Sequence, residues 1–149
     1  MNKLIVSNDI FFAHVIEEID AGNTVKIPSK GNSMLPLIRP ATDTIELKPL
    51  NEKSIEKGNI VLAKTVENKY IVHRIEQVDE QFVTLRGDGN ISAREICDKN
   101  AIFAEVTSIY RNKKKIEKGS LGWNMAKYCW FSNPLLRRIY LGVRRRIKK

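Results

Sequence analysis

Cysteine is scarce in this chain. Cys97 and Cys129 are the only two in 149 residues, they stand in unlike surroundings, and no CxxC or His/Cys ligand spacing accompanies them. A disulfide framework and a zinc site are both unsupported. Histidine is as rare, with His14 and His73 alone. Long apolar runs are missing too: MNKLIVSNDIFFAHVIEEID is interrupted by Asn8, Asp9, His14, Glu17 and Glu18, well short of the roughly 20 apolar residues that a membrane span needs. No signal peptide or transmembrane anchor is expected. Acid is nearly absent from residues 111 to 149, which hold 13 Lys or Arg against Glu117 alone and so carry +12 of a whole-chain +9. The first 110 residues, with 13 bases and 16 acids, are therefore at −3. A positive field confined to the tail argues against a chain that binds nucleic acid along its whole length.

Enough apolar sequence remains for a core. Hydrophobic residues make up 42% and charged residues 29%, ordinary values for a globular protein, and the length suits one compact domain with an appendage. Between Asn8 and Asp20 the apolar residues recur near helical spacing, and Ala21-Gly22-Asn23 supplies a stop. Short β-like runs follow at Thr44 to Lys48, Asn59 to Thr65, Lys69 to Val78, Gln81 to Arg86 and Ile102 to Tyr110. Short polar connections at Glu67 to Lys69 and Asp79 to Gln81 predict an antiparallel meander. The expected architecture is mainly β, a small twisted sheet or barrel-like domain over residues 1–118.

Residues 119–149 read as a basic helical tail. Ser132-Asn133-Pro134 offers an N-cap and a first-turn proline, and Leu136, Ile139, Tyr140, Val143 and Ile147 then form one apolar stripe among arginines and lysines. Leu121 to Phe131, rich in Trp and Tyr, suggests a second helix. Two readings of the tail stay open: a stripe packed on the β-domain with a solvated basic face, or a helix lying on an anionic membrane surface. Nucleic acid is the lesser option, since no reading motif accompanies the charge.

Three stretches carry candidate chemistry. In KGNSMLPLIRP, residues 30 to 40, Gly31 can adopt angles closed to other residues, and Pro36 and Pro40 restrict the chain beyond Ser33. A serine on such a turn is a nucleophile only if a base takes its proton and fixed donors receive the oxyanion. On this stretch alone an ordinary turn, with Met34 as a core plug, is the better reading. In YIVHRIE, residues 70 to 76, alternation puts His73 on one strand face with Ile71 and Ile75, the usual setting of a satisfied core histidine; as a base it is still a better candidate than His14, which sits on the first helix with no supporting motif. In LRGDGN, residues 85 to 90, Gly87 and Gly89 flank Asp88 in a tight turn.

Taken in order, GNSMLP, KGNIVLAK, YIVHRIE, LRGDGN and IFAEVTSIYR resemble the serine peptidase clan of type I signal peptidases and LexA-type self-cleaving repressors. The resemblance covers about residues 22 to 110 and implies that clan's catalytic fold. It implies Ser33 as nucleophile, His73 as general base in place of the commoner lysine, as in the endoplasmic-reticulum and archaeal signal peptidases, and Asp88 as support for the base. Gly58-Asn59 stands where the clan has Gly-Asp. Gly31 stands where signal peptidases often carry a second hydroxyl donor, which implies an oxyanion hole built from backbone N–H groups around Gly31 and Ser33. Histidine-type relatives have a second aspartate shortly after the first; here the comparable region offers Glu95.

The implied protein is a serine endopeptidase with a Ser-His dyad and no metal or cofactor, acting on leader-like or membrane-proximal peptides in the cytoplasm or at the membrane periphery. Substrate would pair with Thr24 to Pro28 as an added strand, over an apolar floor formed by Met34 and Leu35. An unperturbed histidine titrates near 6.5, so activity should rise as His73 becomes neutral. A non-catalytic relative that uses the same domain to bind a peptide or partner is the alternative.

Overall fold

The computed structural model describes residues 8–31, 33–35, 37–40, 42–90 and 93–125. One helix, α1 (Asn8–Asp20), precedes a wholly antiparallel sheet of eight strands: β1 (Val25–Pro28), β2 (Asp43–Lys48), β3 (Ile60–Lys64), β4 (Tyr70–Val78), β5 (Phe82–Arg86), β6 (Glu95–Asp98), β7 (Ile102–Arg111) and β8 (Lys114–Glu117). A short helix, α2 (Leu121–Met125), follows. The mainly-β expectation holds. Spatial order is β1-β2-β7-β3-β4-β5-β6, with β8 also paired to β7.

The ten-residue β7 joins two halves of the sheet. One of its sides pairs with β2, and its other side pairs first with β3 and then with β8. Successive strand residues point to opposite faces, so β3 feeds two cores. Ile60 and Leu62 enter a cluster with Val15 and Ile19 of α1, Ile27, Ile45, Leu47, Val106 and Ile109. Val61 and Ala63 enter a second with Ile75, Val83, Leu85, Cys97 and Ile102. A strand buried on both faces reads as a continuous apolar run, and IVLA is one. The meander from β3 to β6 curls back on itself: the Val66 N–H, in the β3–β4 turn, donates to the Ile96 carbonyl of β6 at 3.0 Å.

Three strands, β1, β6 and β8, are not among the runs the sequence pattern picks out. In β6 only Ile96 and Cys97 lie between two acids, and in β8 only Ile116 interrupts the charges. Asn112 and Lys113 make the β7–β8 turn, both at positive φ, the geometry of a two-residue hairpin. Lysine is not a residue that signals such a turn. Trp123 of α2 is 2% exposed and packs in the first core cluster, so the chain just past Gly119 is docked on the β-domain. The tail helix expected from Ser132 onward lies outside the described residues, as does the end of the segment expected to run to Phe131. Among the described residues no helix is long and apolar enough to cross a membrane.

Candidate active site

Ser33 sits in the turn between β1 and β2, partly exposed. Gly31 before it has φ +73°, with open space where a side chain would be, so the turn needs glycine there for its backbone and not for room. Met34 and Leu35 are 5% and 4% exposed. Met34 packs in the first core cluster, and its sulfur accepts from the Asp88 N–H at 3.5 Å. As placed, both side chains anchor the turn from below and neither forms an open floor.

The turn is held against the end of β5. The Gly89 N–H donates to the Ser33 carbonyl at 2.6 Å. A Cβ built on Gly87 would overlap that carbonyl oxygen and lie 3.1 Å from the Ser33 carbonyl carbon. The Ser33 backbone therefore occupies the space a side chain at Gly87 would take. Arg74 of β4 pairs with Arg86 of β5, so extending the register by one residue sets Gly87 opposite His73. Directly opposed positions on one face have Cβ atoms about 4.5–5.5 Å apart. The missing side chain thus seats Ser33 alongside the histidine strand.

His73 is buried, and its Nδ1 lies 2.9 Å from Oε2 of Glu95, the first residue of β6. The register explains the contact. Ile75, Leu85 and Glu95 are successive cross-strand partners on β4, β5 and β6, and His73 is on the same face as Ile75 two residues away. Glu95 lies in the row of Ile75 and Leu85 and reaches one row along to His73, whose own cross-strand position on the β5 side is Gly87. A carboxylate only accepts, so Nδ1 carries the proton and Nε2 of the neutral ring is left as the proton acceptor. Among the described residues neither the hydroxyl nor the N–H of Ser33 makes a hydrogen bond, and none joins Ser33 to His73.

Asp88 is placed differently from the role the resemblance implies. Its carboxylate takes Nε and a terminal nitrogen of Arg74 at 2.7 and 2.6 Å, and both side chains are fully buried. Alternation turns Arg74 and Asp88 to the face opposite His73, so Glu95 and not Asp88 touches His73. Arg74 also donates to the Gly58 carbonyl at 2.8 Å. Beside it, the buried Asn59 amide donates to the carbonyls of Lys53 and Ser54, both at 2.9 Å. An aspartate side chain has no N–H to give two carbonyls, so this position needs the amide of Asn59.

Past the turn, the fully buried Asp43 carboxylate takes two bonds from Arg111, both at 2.8 Å, while Arg111 also donates to the Leu37 carbonyl at 2.7 Å. Burial pushes the Asp43 carboxyl up, but the bonds from Arg111, the Arg39 N–H and Thr42 outweigh it and hold the group below the ordinary carboxylate range. This clamp closes the loop from Ser33 onto the end of β7. Cys97, two residues beyond Glu95, is no competing nucleophile: burial first, then the charge of Asp98, pushes its thiol up to about 11, so it stays protonated as a core residue.

Sequence reasoning paired Ser33 with His73 through a resemblance, noted Glu95 only for its place after Asp88, and read Gly87 as a turn residue. The signal that would have ranked Glu95 higher is the β5–β6 pairing, which the weak β6 pattern conceals. Compared with models of known protein families and with curated protein sequences, the chain matches none.

Proposed function

We propose that this protein is a serine endopeptidase that cleaves peptide bonds with Ser33 as nucleophile and His73 as general base, the ring oriented by Glu95. The observation that carries this reading is the Glu95 carboxylate on His73 Nδ1, with the Ser33 backbone seated in the space a side chain at Gly87 would fill. That contact selects the tautomer with a basic Nε2 on the strand against which Ser33 is seated. In the mechanism, the Ser33 hydroxyl passes its proton to Nε2 as its oxygen bonds to the peptide carbonyl carbon. His73 returns the proton to the leaving amine as the C–N bond breaks, and water activated by the same ring releases the acyl group. The Ser33 N–H, uncommitted among the described residues, is the available donor to the oxyanion.

A serine-reactive acylating probe, followed by intact mass, tests the proposal. Wild type should gain one adduct on Ser33; Ser33→Ala should gain none, and His73→Ala should label at least about a hundredfold more slowly, in line with the usual worth of a general base. Labelling that survives Ser33→Ala sinks the dyad. The open Ser33 hydroxyl, with no hydrogen bond to His73, favours a second reading as a non-catalytic peptide- or partner-binding domain. A wild type that takes no label but binds extended peptides would select it.

In the catalytic reading the protein acts in the cytoplasm on leader-like or membrane-proximal peptides, brought to an anionic surface by the basic residues beyond Lys118. Full-length protein should then sediment with anionic vesicles, and a chain ending at Met125, which keeps Trp123 in the core, should not. Equal sedimentation removes the membrane role.

A further inference from the structure

β4 grips two adjacent residues at the entry to β6: Glu95, the first of the strand, and Arg94 just before it. On the front, Glu95 meets His73. On the back, the Arg94 side-chain Nε donates to Glu76 Oε1 at 2.6 Å. Each contact crosses over β5, which lies between β4 and β6. Glu76 owes its reach to an irregularity: β4 pairs with β5 at Ile75↔Leu85 and next at Gln77↔Thr84, so Glu76 is the extra residue of a bulge. Bulges re-aim a side chain that regular pairing would leave pointing along its own row. The other Glu76 oxygen, Oε2, is buried and lies 3.5 Å from Arg86 NH1, close enough for attraction without a formed hydrogen bond. Arg86 in turn donates from Nε to the Asn90 carbonyl at 3.2 Å, in the loop that leads from β5 to β6.

We propose that Glu76 and Arg94 are positioning residues that hold the start of β6 so that Glu95 stays on His73. The proposal rests on the dyad reading for its catalytic consequence, but the clamp itself is a claim about the His73 ring. The Leu85↔Glu95 pairing is the last rung of a four-residue strand, and the back-face pair braces the chain just before it. Strand ends fray, and a displacement of about 1 Å at a catalytic group costs on the order of a hundredfold in rate. Arg94 is 45% exposed at its side chain, so losing the ion pair should alter stability little while releasing the orienting carboxylate.

Nitrogen-15 NMR of the histidine rings in the full-length chain reads this directly, with Ser33 labelling as the second measurement. Wild type should show His73 in the Nδ1–H form with a slowly exchanging ring proton, while the exposed His14 serves as reference. Arg94→Ala should lose that protected proton, populate both tautomers, and label about tenfold to a hundredfold more slowly at nearly unchanged thermal stability. Arg94→Lys should recover much of both, since a lysine can reach the same carboxylate. Arg94→Ala with the protected Nδ1–H intact overturns the clamp, as does a wild type that lacks it. A wild type with the protected ring that takes no label overturns the peptidase reading and leaves the clamp standing.

Discussion

Gly87→Ala should leave a folded protein whose Ser33 reacts about a hundredfold more slowly. The argument is geometric. The added Cβ would overlap the Ser33 carbonyl oxygen and fall 2.9 Å from Asn90 Nδ2. The amide can swing aside, but the carbonyl is backbone, held on its other side by the Gly89 N–H. The Ser33 turn must therefore retreat by about 1 Å, the scale at which misplaced reacting groups lose on the order of a hundredfold. Gly87 is not among the glycines at positive φ, so alanine is admissible for the backbone and the effect reports close approach rather than strain. Overpacking of this kind costs about 1–3 kcal/mol of stability. Acylation kinetics, with urea unfolding as control, check it; an unchanged rate in a folded variant would show that the nucleophile does not need this seat.

Asp88→Ala should destabilise the fold by about 3–5 kcal/mol, the usual result of stranding one member of a buried ion pair. Removing the carboxylate leaves the Arg74 guanidinium with no exposed surface and without its two charged acceptors. Against a total stability of about 5–15 kcal/mol for a domain, that is a large fraction. The double variant Asp88→Ala with Arg74→Met should recover most of the loss, because removing both charges also removes the desolvation cost. Urea unfolding of the two single variants and the double measures the coupling. Asp88→Ala should impair labelling mainly through the unfolded fraction, whereas Glu95→Ala should slow it in fully folded protein. An Asp88→Ala variant of wild-type stability that nonetheless fails to label would return Asp88 to the role of direct support for the base.

These two aspects of the GD turn show why one motif can serve two purposes. Gly87 faces His73 and makes room for Ser33, while Asp88 faces backwards and ties the turn to the residue after His73. The Ser33 turn and the His73 strand are thereby held together on both faces of β5. Asp43 and Arg111 do the same for the far end of the Ser33 loop.

The amino-acid sequence alone settled the mainly-β class and the positions of α1 and five of the eight strands, because apolar alternation and polar turns are local signals carried by neighbours. It also brought forward Ser33, His73 and the GD turn as a set. The tertiary structure alone decided which carboxylate serves which cation. Asp88 and Glu95 are both acids after β5, and their roles differ only because strand alternation turns one to Arg74 and the other, after a loop and through the register of a four-residue strand, to His73. Register is a long-range property: it depends on which residues pair across strands, and a shift of one residue exchanges the faces.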